Sequence, residues 1–526
     1  MEAREPMLQR SGTAFSVASL RERPGEGMRY RTRTRRRTAA ALTLSLSLLS
    51  ACAIGPNYKP PAVDLPPEYR DAAPPVDAGS IADLPWWDLF DDPVVKDLID
   101  EALRRNYDLQ IAASRVEQAR YAVGVTRADL MPQVGYEGAA ERGRFFNPLG
   151  GENPTRNHFL GAFQLAWEID VWGRVRRATE ASLAGLFASE DVRRGVVLSL
   201  VTSVGQAYFE LIELDAELEI ARRTRDAFQD ILNLFTRQYR GGVGTKLDTS
   251  RAAASLANAA ASIPEIERQI AAKENQISIL LGRHPGPIPR GVALTRQTAA
   301  PNAPPGMPAS LLQQRPDIMQ AEQTVVASNA VVGVAIANFL PRIGLTTLYG
   351  GESTELENIV KGQGNIWGVG GSLLGPIFQG GRLYYNYKGS VAVHEESLLV
   401  YQQTVLNALA EVSNALIARQ KFGEAYPELD RQVEALREAV RLATLRYTQG
   451  FANYYEVLEA QQQLFPAEIL LARNRLNQLV SVVQLYRAVG GGWRAEEERQ
   501  PDRYPLPRET LDGVVPASAT RGQPQR

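Results

Sequence analysis

Between Val197 and Ala221 the apolar positions recur at alternating intervals of three and four: Val197, Leu200, Val204, Ala207, Leu211, Leu214, Leu218 and Ala221. The series resumes at Phe228, Leu232, Phe235 and Tyr239. A seam of this period is how helices pack side by side over long distances. It predicts one helix from Arg174 to about Arg240, a rod of about 100 Å. A second seam runs through Val405, Val412, Val433, Leu436 and Val440, with Arg419 interrupting it and Pro427 expected to bend or locally unwind the helix.

Elsewhere the period is two. Phe159, Phe163, Leu165, Trp167, Ile169 and Val171 share one side of an extended chain, and Gln164, Glu168 and Asp170 share the other. Trp367, Val369 and Leu373 repeat the pattern, spaced by Gly368, Gly370 and Gly371. Four strands are predicted, at about 133–143, 158–170, 342–350 and 366–378. Each is near the length of about ten residues that a tilted strand needs to cross a hydrocarbon layer. A soluble sandwich is the bland alternative, but four strands are too few for one and helices this long could not pack on them. Four strands cannot close a barrel either, and open edges do not survive in lipid. Several copies of the chain must therefore share one barrel.

The chain also repeats itself. Gly124, Ala128, Pro132 and Gly135 recur as Gly333, Ala337, Pro341 and Gly344, all 209 apart. Gly173, Arg174, Tyr239, Gly242 and Gly282 recur as Gly381, Arg382, Tyr447, Gly450 and Gly490, all 208 apart. Two copies of one structural unit follow. Each unit starts with a helical segment (about 92–131, then about 309–340), continues with two strands, and ends with two helices meeting at a glycine-containing turn. The expected boundaries are an N-terminal extension with signal peptide over 1–51, a proline-rich lead-in over 52–86 and repeat one over 87–283. A proline-rich linker over 284–308, repeat two over 309–493 and a disordered tail over 494–526 complete the plan.

Charge and cysteine usage place the chain. Its formal net charge is −1, yet ten arginines and four acids lie before Cys52, which leaves about −7 for the remainder. No basic surface for nucleic acid is implied. Six arginines between Arg29 and Arg37 precede an uncharged stretch, Thr38 to Ala51, too short to span a bilayer. Residues 1–27 read as a mis-assigned start or an extension before Met28. Cys52 is the single cysteine, so it cannot make an internal disulfide. Leu49-Ser50-Ala51-Cys52 resembles the bacterial lipobox, in which the thiol takes diacylglycerol and the new amino terminus is acylated. A buried structural cysteine behind an ordinary signal sequence is the alternative. Ala53, in place of the aspartate that retains lipoproteins on the inner membrane, favours the outer one.

An enzyme finds little support. "GGVGTK" (241–246) lacks the order and the preceding strand of a phosphate loop. His158, His284 and His394 lie far apart without ligand spacing. No catalytic residue, metal or cofactor is expected beyond the acyl groups at Cys52. A structural coiled-coil periplasmic lipoprotein is a second alternative, which the amphipathic strands oppose, and a porin would fill its length with strands.

Taken together, "GPNYKPP" after the lipobox, "WWDLFDDPVVKDLIDEALRRNYDLQIA", "LLQQRPDIMQAE" and the paired tips "RQYRGGVGTKLDTSRA" and "LRYTQGFANYYEVLEAQQ" resemble the TolC/OprM outer-membrane efflux family, in its lipoprotein (NodT-type) branch. The resemblance covers about residues 52–493. It implies a mainly α chain with a transmembrane β-barrel: a homotrimer of four strands per chain, continued by a long periplasmic barrel of helices. It implies the exit duct of a tripartite efflux pump in the outer membrane of a Gram-negative bacterium, lipid-anchored and extending into the periplasm. The partners implied are a periplasmic membrane-fusion adaptor and an inner-membrane transporter of the RND type, and the cargo drugs, toxic compounds or metal ions. It also assigns residues. Tyr239, Gly242, Tyr447 and Gly450 match the tips that contact the adaptor, and Asp248, Tyr447, Glu456 and Glu459 match the periplasmic gate. Ala452 stands where the best-known relative has a latch arginine. Phe163, Leu165, Trp167, Trp367 and Leu373 are the expected lipid-facing strand residues.

Overall fold

The computed structural model describes residues 53–70, 80–144, 155–297 and 305–499. Cys52, and with it the expected acylation site, lies outside the described residues. Among them, besides the single turns Trp86–Leu89 and Leu311–Gln314, the α-helices are α1 (Pro93–Arg105), α2 (Tyr107–Ala128), α3 (Arg174–Arg240), α4 (Lys246–Leu280), α5 (Pro316–Ala337), α6 (Arg382–Thr448), α7 (Tyr454–Ala488) and α8 (Trp493–Arg499). Four strands are β1 (Gln133–Arg144), β2 (Thr155–Ile169), β3 (Arg342–Ser353) and β4 (Asn365–Leu374).

The seam helix forms as its period demands. Val204, Leu211 and Ala221 are fully buried along α3, and Val405, Val412 and Val433 along α6. Each long helix has two sets of neighbours. Near the sheet the helices lie in the order α2-α3-α5-α6, and towards the far end in the order α4-α3-α7-α6. The main core joins these layers to α1 and to the lead-in: Val95, Ile99 and Leu103 of α1 share it with Val201, Tyr208 and Ile212 of α3 and with Tyr69, Ile81 and Trp86.

In the helical segments and the tail, four expectations change. The segment 92–131 is two helices, because extended backbone at Asn106 ends α1 and its side chain caps α2 by accepting from the Leu109 N–H. The segment 309–340 likewise breaks at Arg315, since the residue before Pro316 is driven out of the helical region. Helix α6 runs unbroken through Pro427, the packing of α7 along it outweighing one lost hydrogen bond. Finally, the tail does not begin at 494. Helix α8 docks on the core, with Glu496 accepting from the Trp86 indole at 3.1 Å and Glu497 from Arg193 at 2.9 Å. Residues 500–526 lie outside the description.

The strands form one antiparallel sheet in the order β1-β2-β3-β4. Strand β4 stops at Leu374, short of the expected 378, because Gly375 and Pro376 follow and proline has no N–H for the ladder. Strands β2 and β3 each run three residues beyond the expected outer limit, β2 starting at Thr155 and β3 ending at Ser353.

Candidate functional site

Register decides what each face of the sheet presents. Tyr136 pairs with Phe163, Phe163 with Tyr349, and Tyr349 with Trp367, and residues directly opposite share a face. This face also holds Val134, Leu165, Trp167, Val369 and Leu373. Tyr136 is 87% exposed, Trp367 75% and Leu373 68%, an apolar surface far larger than scattered exposure on a soluble protein. Leu165 and Trp167 are half-buried in the single chain, the Trp167 indole donating to the Leu130 carbonyl at 2.9 Å. The five expected lipid-facing residues thus fall on one face.

The opposite face is polar. Gln164 donates to Glu137, His158 lies 3.0 Å from Glu352, and Arg174 makes a paired contact with Glu168 at 2.9 and 3.0 Å. One apolar and one polar face, with the outer edges of β1 and β4 left without a partner strand in the four-stranded sheet of the described residues, is the arrangement of a barrel segment.

At the far end the two hairpins, α3–α4 and α6–α7, turn identically. The Gly242 N–H donates to the Tyr239 carbonyl and the Gly450 N–H to the Tyr447 carbonyl, at 3.1 and 3.0 Å. Both glycines have positive φ, 77° and 79°, where a side chain would be strained. The spacing of tyrosine and glycine is therefore a requirement of the turn itself. Beyond each glycine stands an exposed apolar residue, Val243 or Phe451.

The expected gate residues separate into different settings. Asp248 is spent on a capping box: its carboxylate accepts from the Thr245 hydroxyl at 2.5 Å while the Asp248 N–H donates to Thr245 Oγ1 at 3.2 Å. Glu456 is its counterpart in repeat two, but there Asn453 caps the helix, and Glu456 lies 3.7 Å from Arg446. Glu459 is exposed one turn on, with Gln463 beside it at 3.5 Å. Of these four, Tyr447 is the one that bridges the hairpins among the described residues, donating to Gln238 Oε1 at 2.9 Å and packing on Phe235 and Tyr454. Tyr239 is half exposed, with the Lys246 ammonium 6.0 Å from its ring centroid. Ala452 offers no charge.

Sequence reasoning missed the charged ties between the repeats. Glu468 of α7 is buried and accepts from Arg437 of α6 at 2.9 Å and from Arg223 of α3 at 2.5 Å. Arg473 of α7 donates to Glu217 of α3 at 2.8 Å, and Glu213 lies 3.9 Å from the same nitrogen. Burial first, then the neighbouring Glu217, pushes the Glu213 carboxyl up to about 8. The available signal was a weak one, two carboxylates at i and i+4 flanking the seam. Among the described residues no three metal-ligating side chains converge.

A family model described as outer membrane efflux protein matches residues 98–283 and 307–491. The chain belongs to the outer membrane efflux protein family. This efflux protein is 32% identical over 454 residues to the probable efflux pump outer membrane protein TtgC of Pseudomonas putida, covering 85% of this chain and 94% of that one. It is 31% identical over 452 residues to the probable outer membrane lipoprotein SilC of Salmonella typhimurium, covering 85% and 97%. The crystal structure of the Neisseria gonorrhoeae MtrE outer membrane channel in its open state superposes with a TM-score of 0.76 at 30% identity, over 84% of this chain and 99% of that one. The efflux protein accordingly resides in the outer membrane, and its fold is that of an exit duct.

Proposed function

We propose that three copies of this efflux protein form the lipid-anchored exit duct of a tripartite pump, receiving cargo from a periplasmic membrane-fusion adaptor and an RND-type inner-membrane transporter. The observation that carries the reading is the sheet: apolar on one face, polar on the other, and open at β1 and β4. The helical layers end the same way, at α2 and α6 near the sheet and at α4 and α6 at the tips. Unlike ends on one chain suit a head-to-tail ring. Two copies would give eight strands, about the number whose interior side chains already fill. Three copies give twelve and leave a passage. No reaction is assigned to the chain, and the duct passes what the transporter delivers.

The lead-in supports an anchor at the membrane surface. Just beyond Cys52, the Ile54 N–H donates to the Trp172 carbonyl at 3.0 Å, and Arg177 donates to the Asn57 side chain at 2.7 Å. Gly173, at φ 76°, leaves room there: a Cβ on it would stand 2.7 Å from the Ala53 backbone. The chain is therefore held at the junction of β2 and α3, the level where the sheet leaves the hydrocarbon. More than one acyl chain at Cys52 would make attachment stable, at about 0.8 kcal/mol per buried methylene. The test is mass spectrometry of protein extracted from outer membranes. Expected are a trimer in detergent and an N-terminus at Cys52 with added diacylglycerol and acyl mass. A folded monomer sinks the assembly, and an unmodified thiol sinks the anchor.

A further inference from the structure

The two tips differ at positions where the repeat would make them alike. Lys246 opens α4, whereas Tyr454, 208 residues on, opens α7. Phe235 of α3 corresponds to Ala443 of α6. These exchanges build a joint between the hairpins. The Phe235 ring meets Tyr454 edge-on at 4.2 Å between centroids, and Tyr447 completes a triangle at 5.7 Å from Tyr454 and 6.1 Å from Phe235. Ala443 is small enough to admit the rings, and Val457 and Leu458 enclose them.

Two hydroxyls enter this apolar cluster and fare differently. That of Tyr447 is paired with Gln238. That of Tyr454 is buried, on a residue only 9% exposed, with no hydrogen-bond partner among the described residues. Seven positions on, on the same side of α7, the side-chain amide oxygen of Gln461 is buried without a partner among the described residues as well. A buried polar group left unpaired disfavours the packed arrangement against any in which it meets water. A phenylalanine at 454 would pack the same rings without that penalty.

We propose that Tyr454 is a positioning residue of the periplasmic closure, whose unpaired hydroxyl weakens the aromatic joint between the α3–α4 and α6–α7 hairpins so that the joint opens readily. Ring packing holds the joint shut, and hydration of the hydroxyl assists its parting. This rests on the reading of the tips as the closed end of the duct.

The test compares two chemically identical changes, Tyr454→Phe and Tyr447→Phe, in the full-length protein. Backbone hydrogen exchange at 230–240 and 448–462 tracks the open population of the tips, with 197–214 of the rod as internal reference. Tyr454→Phe removes only an unpaired group, so tip exchange should slow between about fivefold and a hundredfold, the range set by the cost of such a group. Tyr447→Phe removes a paired one, so tip exchange should quicken. In planar bilayers Tyr454→Phe should open less often, with the open-channel conductance unchanged. Unchanged or faster tip exchange in Tyr454→Phe, or the same sign in both variants, overturns the proposal. So does an equal slowing in the rod, which is general stabilisation. Slowed tip exchange with unaltered channel openings supports the weakened joint and overturns the tips as the closure.

Discussion

Glu213 and Glu217 stand one turn apart on α3, both buried, and share one arginine, Arg473. Burial first, and then the neighbouring Glu217, hold Glu213 from its ordinary 4.5 up to about 8. The sign follows from proton uptake: between those limits the folded chain binds a proton at Glu213 that the unfolded chain has released. The stability contributed by Glu213 is therefore fully present below about 4.5 and is lost as pH rises to about 8. Glu213→Gln should flatten this slope, raising the thermal midpoint at pH 8 while changing little at pH 5, as followed by circular dichroism of the helical signal. An unaltered slope would show that Glu213 is charged throughout. Little of this was legible in the sequence. A glutamate beside Leu211 and Leu214 looks like a solvated flank until α7 brings Arg473 against it. Asp248 was legible in one respect that its match to a gate position overshadowed, since Thr-x-x-Asp before an apolar run is itself a capping signal.

At the scale of elements, alternation carried most of the information. The period of two placed Phe163, Leu165 and Trp167 on one side of β2, and register alone joined them to Val134, Tyr349 and Trp367. Leu165→Arg puts a charge on the apolar face beside Val134 and Thr347. It should cost roughly 2–4 kcal/mol if the position is near the bilayer midplane, read as loss of folded trimer in urea titrations in vesicles. Gln164→Arg, next to Glu137 on the polar face, should cost far less. Equal effects would mean that the faces are assigned wrongly. Helix ends were less legible than strands, because Asn106 and Arg315 each break an apolar period that continues across them. A cap or a following proline ends a helix without disturbing its hydrophobic pattern.

For the whole molecule, threefold symmetry would turn each tip carboxylate into a ring around the axis. At about 8 Å between neighbours and an effective dielectric of about 20, each pair repels by about 2 kcal/mol. Such rings would oppose closure of the entrance and would attract cations. The two differ, since Glu456 has Arg446 within 3.7 Å while Glu459 has only Gln463 among the described residues. Glu459→Ala should lower cation selectivity more than Glu456→Ala, measured by reversal potential in a salt gradient, and the double variant should weaken block by trivalent cations. A double variant with unchanged selectivity would remove both residues from the constriction. What the sequence determined by itself was everything encoded by period and repetition: the long seams, the four strands, the doubled unit and the glycine turns. These follow from nearest neighbours along the chain, where helix and strand geometry fix which side chains share a face. Only the tertiary structure decided which faces meet. It set the order of strands and helices, tied Glu468 to arginines of both repeats, and buried the Tyr454 hydroxyl against Phe235. The contacts of Glu468 with Arg223 and of Tyr454 with Phe235 join residues more than two hundred positions apart, and their energies depend on burial that no local pattern records.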